Sequence, residues 1–142
     1  MIAIGSDHGG FALKERIIAY LKEQGIAYED MGCFDKSSVD YPVFGKAVAK
    51  KVASGEAEKG IVVCTTGIGI SIVTNKVKGI RCALCTDTLS AKMTRLHNDA
   101  NVLALGGGMT GDNLAIDIVE TFLNTPFSGE EKHQRRINMI ED

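Results

Sequence analysis

The chain has 142 residues, 44% of them hydrophobic and 24% charged, with a net charge of −2. One domain spanning 1–142, with a substantial core, fits that length. The charge excludes the basic footprint of a nucleic-acid binder, and no apolar run approaches a membrane span. In chain order, MIAIGSDHGG opens as a strand over Ile2–Gly5 and a polar turn. It has neither the basic start nor the long apolar stretch of a signal peptide, so a cytoplasmic chain is expected. A helix follows over Phe11–Gln24, with Leu13, Ile17, Tyr20 and Leu21 on one stripe, and then a strand over Ala27–Met31. Tyr41–Ser54 is helical, with Phe44, Ala47, Val48 and Val52 apolar. Gly60–Cys64 is a strand, and Ile70–Val77 a short helix. Arg81–Thr86 and Asn101–Gly106 read as strands flanking a helix over Thr88–His97. Thr110–Leu123 carries a clear apolar face at Leu114, Ala115, Ile118, Val119 and Phe122. After Pro126 a last helix covers Ser128–Ile140.

Strands that are apolar on both sides, alternating with amphipathic helices, imply a parallel sheet covered on both faces. The expected fold is α/β: a three-layer Rossmann-like domain with a five-stranded parallel sheet plus a C-terminal helix. The expected strand order is 2-1-3-4-5, with right-handed crossovers. Ligands in such sheets bind beyond the strand C-termini, where the strand order reverses. That point lies between the first and third strands, whose ends carry Ser6-Asp7-His8-Gly9-Gly10 and Cys64-Thr65-Thr66-Gly67.

The segment Gly60–Lys76 carries the strongest chemical signal. An apolar strand delivers Cys64, a turn follows with Gly67 and Gly69, and a helix begins. Glycines let backbone N–H groups converge, and a helix N-terminus adds partial positive charge. A thiolate could form there and a developing oxyanion could be held. A P-loop is excluded because no Gly-Lys-Ser/Thr is present. A dinucleotide fingerprint would normally follow the first strand. A Cys-x5-Arg phosphatase loop fails because Ile70 stands at the arginine position.

The other polar clusters have two readings each. Asp7-His8 is either a helix cap with a surface imidazole or part of the crevice. His97-Asn98-Asp99 is either a cation on a helix C-terminus with a turn-forming Asn, or a proton-transfer imidazole beside an amide. On the last helix Lys132 and Arg136 share a face, while His133, Ile137 and Ile140 form another. The cations read as a solvated tail or as a phosphate clamp. Cys82 and Cys85 have CxxC spacing but sit on a strand, where residues three apart point to opposite faces. Buried structural thiols are therefore expected rather than a metal or redox pair, and Cys33 reads as an incidental turn cysteine.

Together, Gly5–Gly10, Asp40-Tyr41-Pro42, Gly60–Ile72, Asn75-Lys76 with Gly79-Ile80-Arg81, Arg95–Asn101, and His133-Gln134 with Arg136 resemble the ribose-5-phosphate isomerase B family of sugar-phosphate isomerases. The likeness runs over essentially the whole chain. It implies interconversion of D-ribose 5-phosphate and D-ribulose 5-phosphate, with no metal or organic cofactor. It implies Cys64 as the base between C2 and C1, His97 as the ring-opening residue, and Thr66 within the catalytic set. Asp7, His8, Tyr41 and Asn98 match substrate contacts; the amides of Thr65, Thr66, Gly67, Ile68 and Gly69 match an enediolate cradle. Lys132 and Arg136 match the phosphate side. The resemblance further implies a homodimer or tetramer sharing the active site, so that Cys64 and His97 face one pocket. The chain departs from the family at Ile70, where some relatives carry Glu, and at Thr65, where Gly is frequent. It also departs at Gly108 and Lys132, where Arg is usual. A hexose 6-phosphate such as allose or galactose 6-phosphate is the alternative substrate. A silent sugar-phosphate-binding module, or a flavodoxin-like domain, would be the non-isomerase readings.

Overall fold

The computed structural model describes all of residues 1–142. Its strands are β1 (Ile2–Ser6), β2 (Tyr28–Asp30), β3 (Lys59–Cys64), β4 (Cys82–Leu84) and β5 (Val102–Gly106). Its helices are α1 (Phe11–Glu23), α2 (Tyr41–Ala53), α3 (Ile68–Thr74), α4 (Thr88–Asn98), α5 (Asp112–Asn124) and α6 (Glu131–Glu141). No helix is long and apolar enough to cross a membrane.

The sheet is parallel throughout, as its alternating β-α pattern predicts, but its order is β2-β1-β3-β5-β4 rather than 2-1-3-4-5. The reason lies in the last two strands. All five residues of β5 are buried, with Leu103 and Leu105 on one face and Val102 and Ala104 on the other. β4 is only three residues long and leaves Leu84 exposed, which suits an edge. Placing Val102, Leu103 and Leu105 half-exposed at that edge would forfeit on the order of 1 kcal/mol each.

Side chains alternate along each strand and divide the core in two. Ile2, Ile4, Ile61, Val63, Leu103 and Leu105 pack under α1 and α5, with Ala91 of α4. Ala3, Val62, Cys64, Val102 and Ala104 pack under α2 and Ile70 of α3. Connections stepping toward β2 thus cross the α1 face, and those stepping toward β4 cross the α2 face, as one crossover hand demands. Because β5 steps back toward β3, α4 lies on the α1 face. Cys85 packs in the first cluster and Cys82 against the second, so the CxxC pair does straddle the sheet.

The reversal between β1 and β3 survives the changed order. β3 now has β5 as its other neighbour, with Cys64 opposite Gly106.

Candidate active site

The C-terminal ends of β1, β3 and β5 build one corner of the molecule. Asp7 follows β1 directly; its N–H donates to the Val63 carbonyl of β3 at 3.2 Å. Its Oδ1 accepts from Gly10 N–H at 3.1 Å and caps a single 3-10 turn over His8–Gly10. The capping reading of Asp7 is therefore real, and such a cap contributes about 1 kcal/mol. His8 is exposed, and its Nδ1 accepts from the Val39 N–H at 3.2 Å, tying the β1 turn to the segment before α2.

Cys64 ends β3 and is 5% exposed. The Gly67 N–H points at its sulfur at 3.1 Å. Gly67 is left-handed, with φ of +79°, and an added Cβ would meet Leu84 Cδ1 at 2.6 Å and the Leu105 carbonyl carbon at 2.8 Å. Only glycine brings this amide round to the thiol. Thr65, Thr66 and Ile68 are exposed on the turn, and Thr66 Oγ1 accepts from the Ile68 N–H at 3.2 Å. Tyr41, first in α2, lays its ring against Gly69, where a Cβ would stand 2.7 Å from Tyr41 Cζ. The structure thus gathers Asp7, His8, Tyr41, Cys64, Thr65, Thr66, Gly67, Ile68 and Gly69 in one place.

Sequence reasoning missed the residues that support this corner. The Gly107 N–H donates to the Cys64 carbonyl and the Gly108 N–H to that of Thr65, both at 2.8 Å. At Gly108 a Cβ would meet Thr65 Cγ2 at 2.9 Å, so the threonine methyl occupies the space a side chain at 108 would need. The run Gly106-Gly107-Gly108 after an apolar strand was the available signal. Lys14 is fully buried, and its ammonium donates to both oxygens of Asp30 at 2.8 Å. Asp30 Oδ1 also accepts from the Gly32 N–H at 2.9 Å, and Ser6 N–H donates to the Gly32 carbonyl. The pair thereby pins the loop beside the site; a lysine on an amphipathic helix gives no such hint in sequence.

His97, Asn98, Lys132 and Arg136 lie elsewhere in the chain, so Cys64 and His97 of one copy do not share a pocket. α4 starts beyond the C-terminal end of β4 and returns, so that Asn101 accepts from Gly60 N–H at the start of β3. Six strand residues at about 3.3 Å each put the two ends roughly 20 Å apart. Two arginines fix this second corner. Arg81 donates from Nε to the Asn98 carbonyl at 2.8 Å and pairs with Glu141 of α6. Arg95, 5% exposed, donates to the Thr125 and Ala100 carbonyls and to Asp99 Oδ1. Asp99 is left-handed at φ +44° and turns the chain there. Lys132 and Arg136 are exposed and without an ion-pair partner; His133 and Ile137 are buried, but Ile140 is 60% exposed and leaves their face.

The largest cavity, about 620 Å³, runs along the β4 edge and includes Arg81, Thr94 and Asn98 but not Cys64. Around that edge Ile68, Ile72, Leu84, Leu89 and Met93 are exposed. No cluster of His, Cys, Asp and Glu has the geometry to hold a metal ion. Burial pushes the Cys82 thiol up to about 12 and also raises that of Cys85, so neither is a nucleophile.

Residues 2–140 match the model of the Ribose/Galactose Isomerase family. Ribose-5-phosphate isomerase B of Escherichia coli is 45% identical, over 98% of this chain and 93% of that protein. The galactose-6-phosphate isomerase subunit LacB of Clostridium acetobutylicum is 43% identical, over 100% of this chain and 82% of its own length. The solved ribose-5-phosphate isomerase B of Clostridium thermocellum superposes with a TM-score of 0.97 at 52% identity, covering 99% and 94% of the two chains. With the family pattern matched end to end, this chain belongs to the ribose/galactose isomerase family and is a sugar-phosphate isomerase.

Proposed function

We propose that the chain interconverts D-ribose 5-phosphate and D-ribulose 5-phosphate, with its active site completed by a second copy of itself. The Gly67 N–H on the Cys64 sulfur, at 3.1 Å and at the mouth of the β1/β3 crevice, is the observation that carries this reading. His97 of the second copy takes the O1 proton and returns it to the ring oxygen as the C1–O4 bond breaks, leaving an open aldehyde. The Cys64 thiolate then removes the C2 proton. The electron pair forms C1=C2, and the negative charge on O1 meets the turn amides of Thr65 to Gly69. Thr66 carries the proton from O2 to O1; the resulting thiol then delivers its proton to C1 as C2=O2 forms, and the ketose leaves. Asp7, His8 and Tyr41 of one copy and Asn98 of the second hold the sugar hydroxyls, and Lys132 and Arg136 of the second copy hold the phosphate.

Two features support the second copy. Its His97 corner lies at the opposite end of the sheet from its own Cys64, and the apolar residues exposed along the β4 edge need a cover. Replacing Cys64 by Ala should lower kcat on ribose 5-phosphate by about 100-fold or more. A loss below about tenfold would remove Cys64 from the base role, and parent protein that binds sugar phosphate without turnover would make it a binding module. A hexose 6-phosphate is the second reading. It is favoured by Gly108, which puts no cation beside Thr65. Turnover of pentose and hexose phosphates side by side decides between them.

A further inference from the structure

The second corner holds a piece of chemistry with no assigned role, an imidazole pair. His133, in the first turn of α6, is one of two buried residues of that helix; Ile137, one turn on, is the other. Its ring lies against that of His97 with centroids 4.3 Å apart and planes 21° from parallel. Nε2 of His133 sits 3.0 Å from Oε2 of Glu130, which fixes the His133 ring from its far side.

A proton-transferring imidazole is usually oriented by a hydrogen bond on its second nitrogen. His97 makes none within the chain, and its sequence neighbours bond elsewhere. The Asn98 carbonyl accepts from Arg81, the Asn98 side-chain oxygen from Thr94, and Asp99 Oδ1 from Arg95. What restricts the ring is the flat face of His133. That face is suited to the task. Burial first, and then the charge of His97, hold the His133 pKa below its ordinary value; Lys132 and Arg136 add to this and Glu130 opposes it. A pKa held down in this way disfavours a second charge on His133 when His97 takes up a proton.

We propose that His133 is the positioning residue for His97, holding that imidazole by stacking at the angle ring opening requires. The inference rests on the reading of His97 as the ring-opening group. Without the plate, the His97 side chain is free to sample its other staggered wells and its ring plane is unrestrained.

The test separates ring opening from proton transfer at carbon. Ribulose 5-phosphate stays open-chain because its C5 hydroxyl carries the phosphate. Exchange of its C1 proton into D2O therefore needs Cys64 and the enediolate but no ring opening, whereas turnover of ribose 5-phosphate needs both. His133→Ala should lower kcat on ribose 5-phosphate by about 10- to 100-fold, while C1 exchange stays within about threefold. His133→Phe, which keeps a flat ring, should recover kcat to within about threefold of the parent. An unchanged kcat in His133→Ala overturns the proposal. So does a parallel fall of kcat and C1 exchange in both variants, which marks His133 as structural support alone. Parent protein idle on both sugars would defeat the isomerase reading of the site before either variant is made.

Discussion

Gly67 shows how much of the site rests on single residues. Its left-handed φ of +79° turns the amide onto the Cys64 sulfur, and its missing side chain lets Leu84 and the Leu105 backbone approach. Leu84 Cδ1 can move aside; a carbonyl carbon inside the sheet cannot. Gly67→Ala should therefore cost about 2–5 kcal/mol, from left-handed strain plus overpacking. The urea midpoint should fall and isomerase activity with it; a variant as stable as the parent would show the turn is not strained. At this scale Cys64, Asp7 and the loop glycines were legible, because a nucleophile at a strand end followed by glycines is a local pattern. Lys14, Asp30 and Arg95 were not. Each is a surface-type residue in sequence; Lys14 and Arg95 are buried and Asp30 half-buried, with Lys14 bonded to Asp30 and Arg95 to the Thr125 carbonyl, partners distant in sequence.

Every strand and helix was legible from periodicity, with ends displaced by a few residues. The order of β4 and β5 was not. Both are short apolar runs, and nothing local says which of them finds neighbours on both sides. Competition for the centre decides it, and the longer, wholly apolar β5 wins. The edge strand carries a testable consequence. The Cys82 thiol is raised from 9.0 to about 12 in the fold, chiefly by burial and further by Cys85, with a Thr74 hydrogen bond opposing. Below its unfolded value the thiol is neutral in both states, and its contribution to stability is complete. As pH climbs toward 12 the unfolded chain ionises first and binds fewer protons, so stability falls. The urea midpoint should decline between pH 9 and about 12, and decline less in Cys82→Ala. Equal slopes in the two proteins would assign the alkaline loss to other groups.

At the scale of the whole molecule, the proposed reaction needs the Cys64 corner of one copy and the His97 corner of another. If Cys64→Ala and His97→Asn are each inactive, mixing them under conditions that exchange subunits should restore activity. Half the dimers are hybrids, and each hybrid has one intact site of two, so about a quarter of parental activity should return. No recovery from well-exchanged hybrids would place both residues in one copy's site and contradict the shared arrangement. Mass measurement alone would not test this, since a dimer can form without sharing a site. The cavity along the β4 edge and the exposed Ile68, Ile72 and Leu84 mark the surface where the second copy is expected.

Sequence by itself determined the fold class, the run of elements and the placing of the polar β1 and β3 loops at one crevice. These depend on periodicities and turn residues that act over a few positions. Only the tertiary structure decided that β5 stands between β3 and β4, so that Gly107 and Gly108 brace the Cys64 turn. It also decided that α4 ends far from Cys64, with His97 stacked on His133. Those outcomes depend on which buried surfaces win one another across long sequence separations, and on the crossover hand that assigns each helix a face.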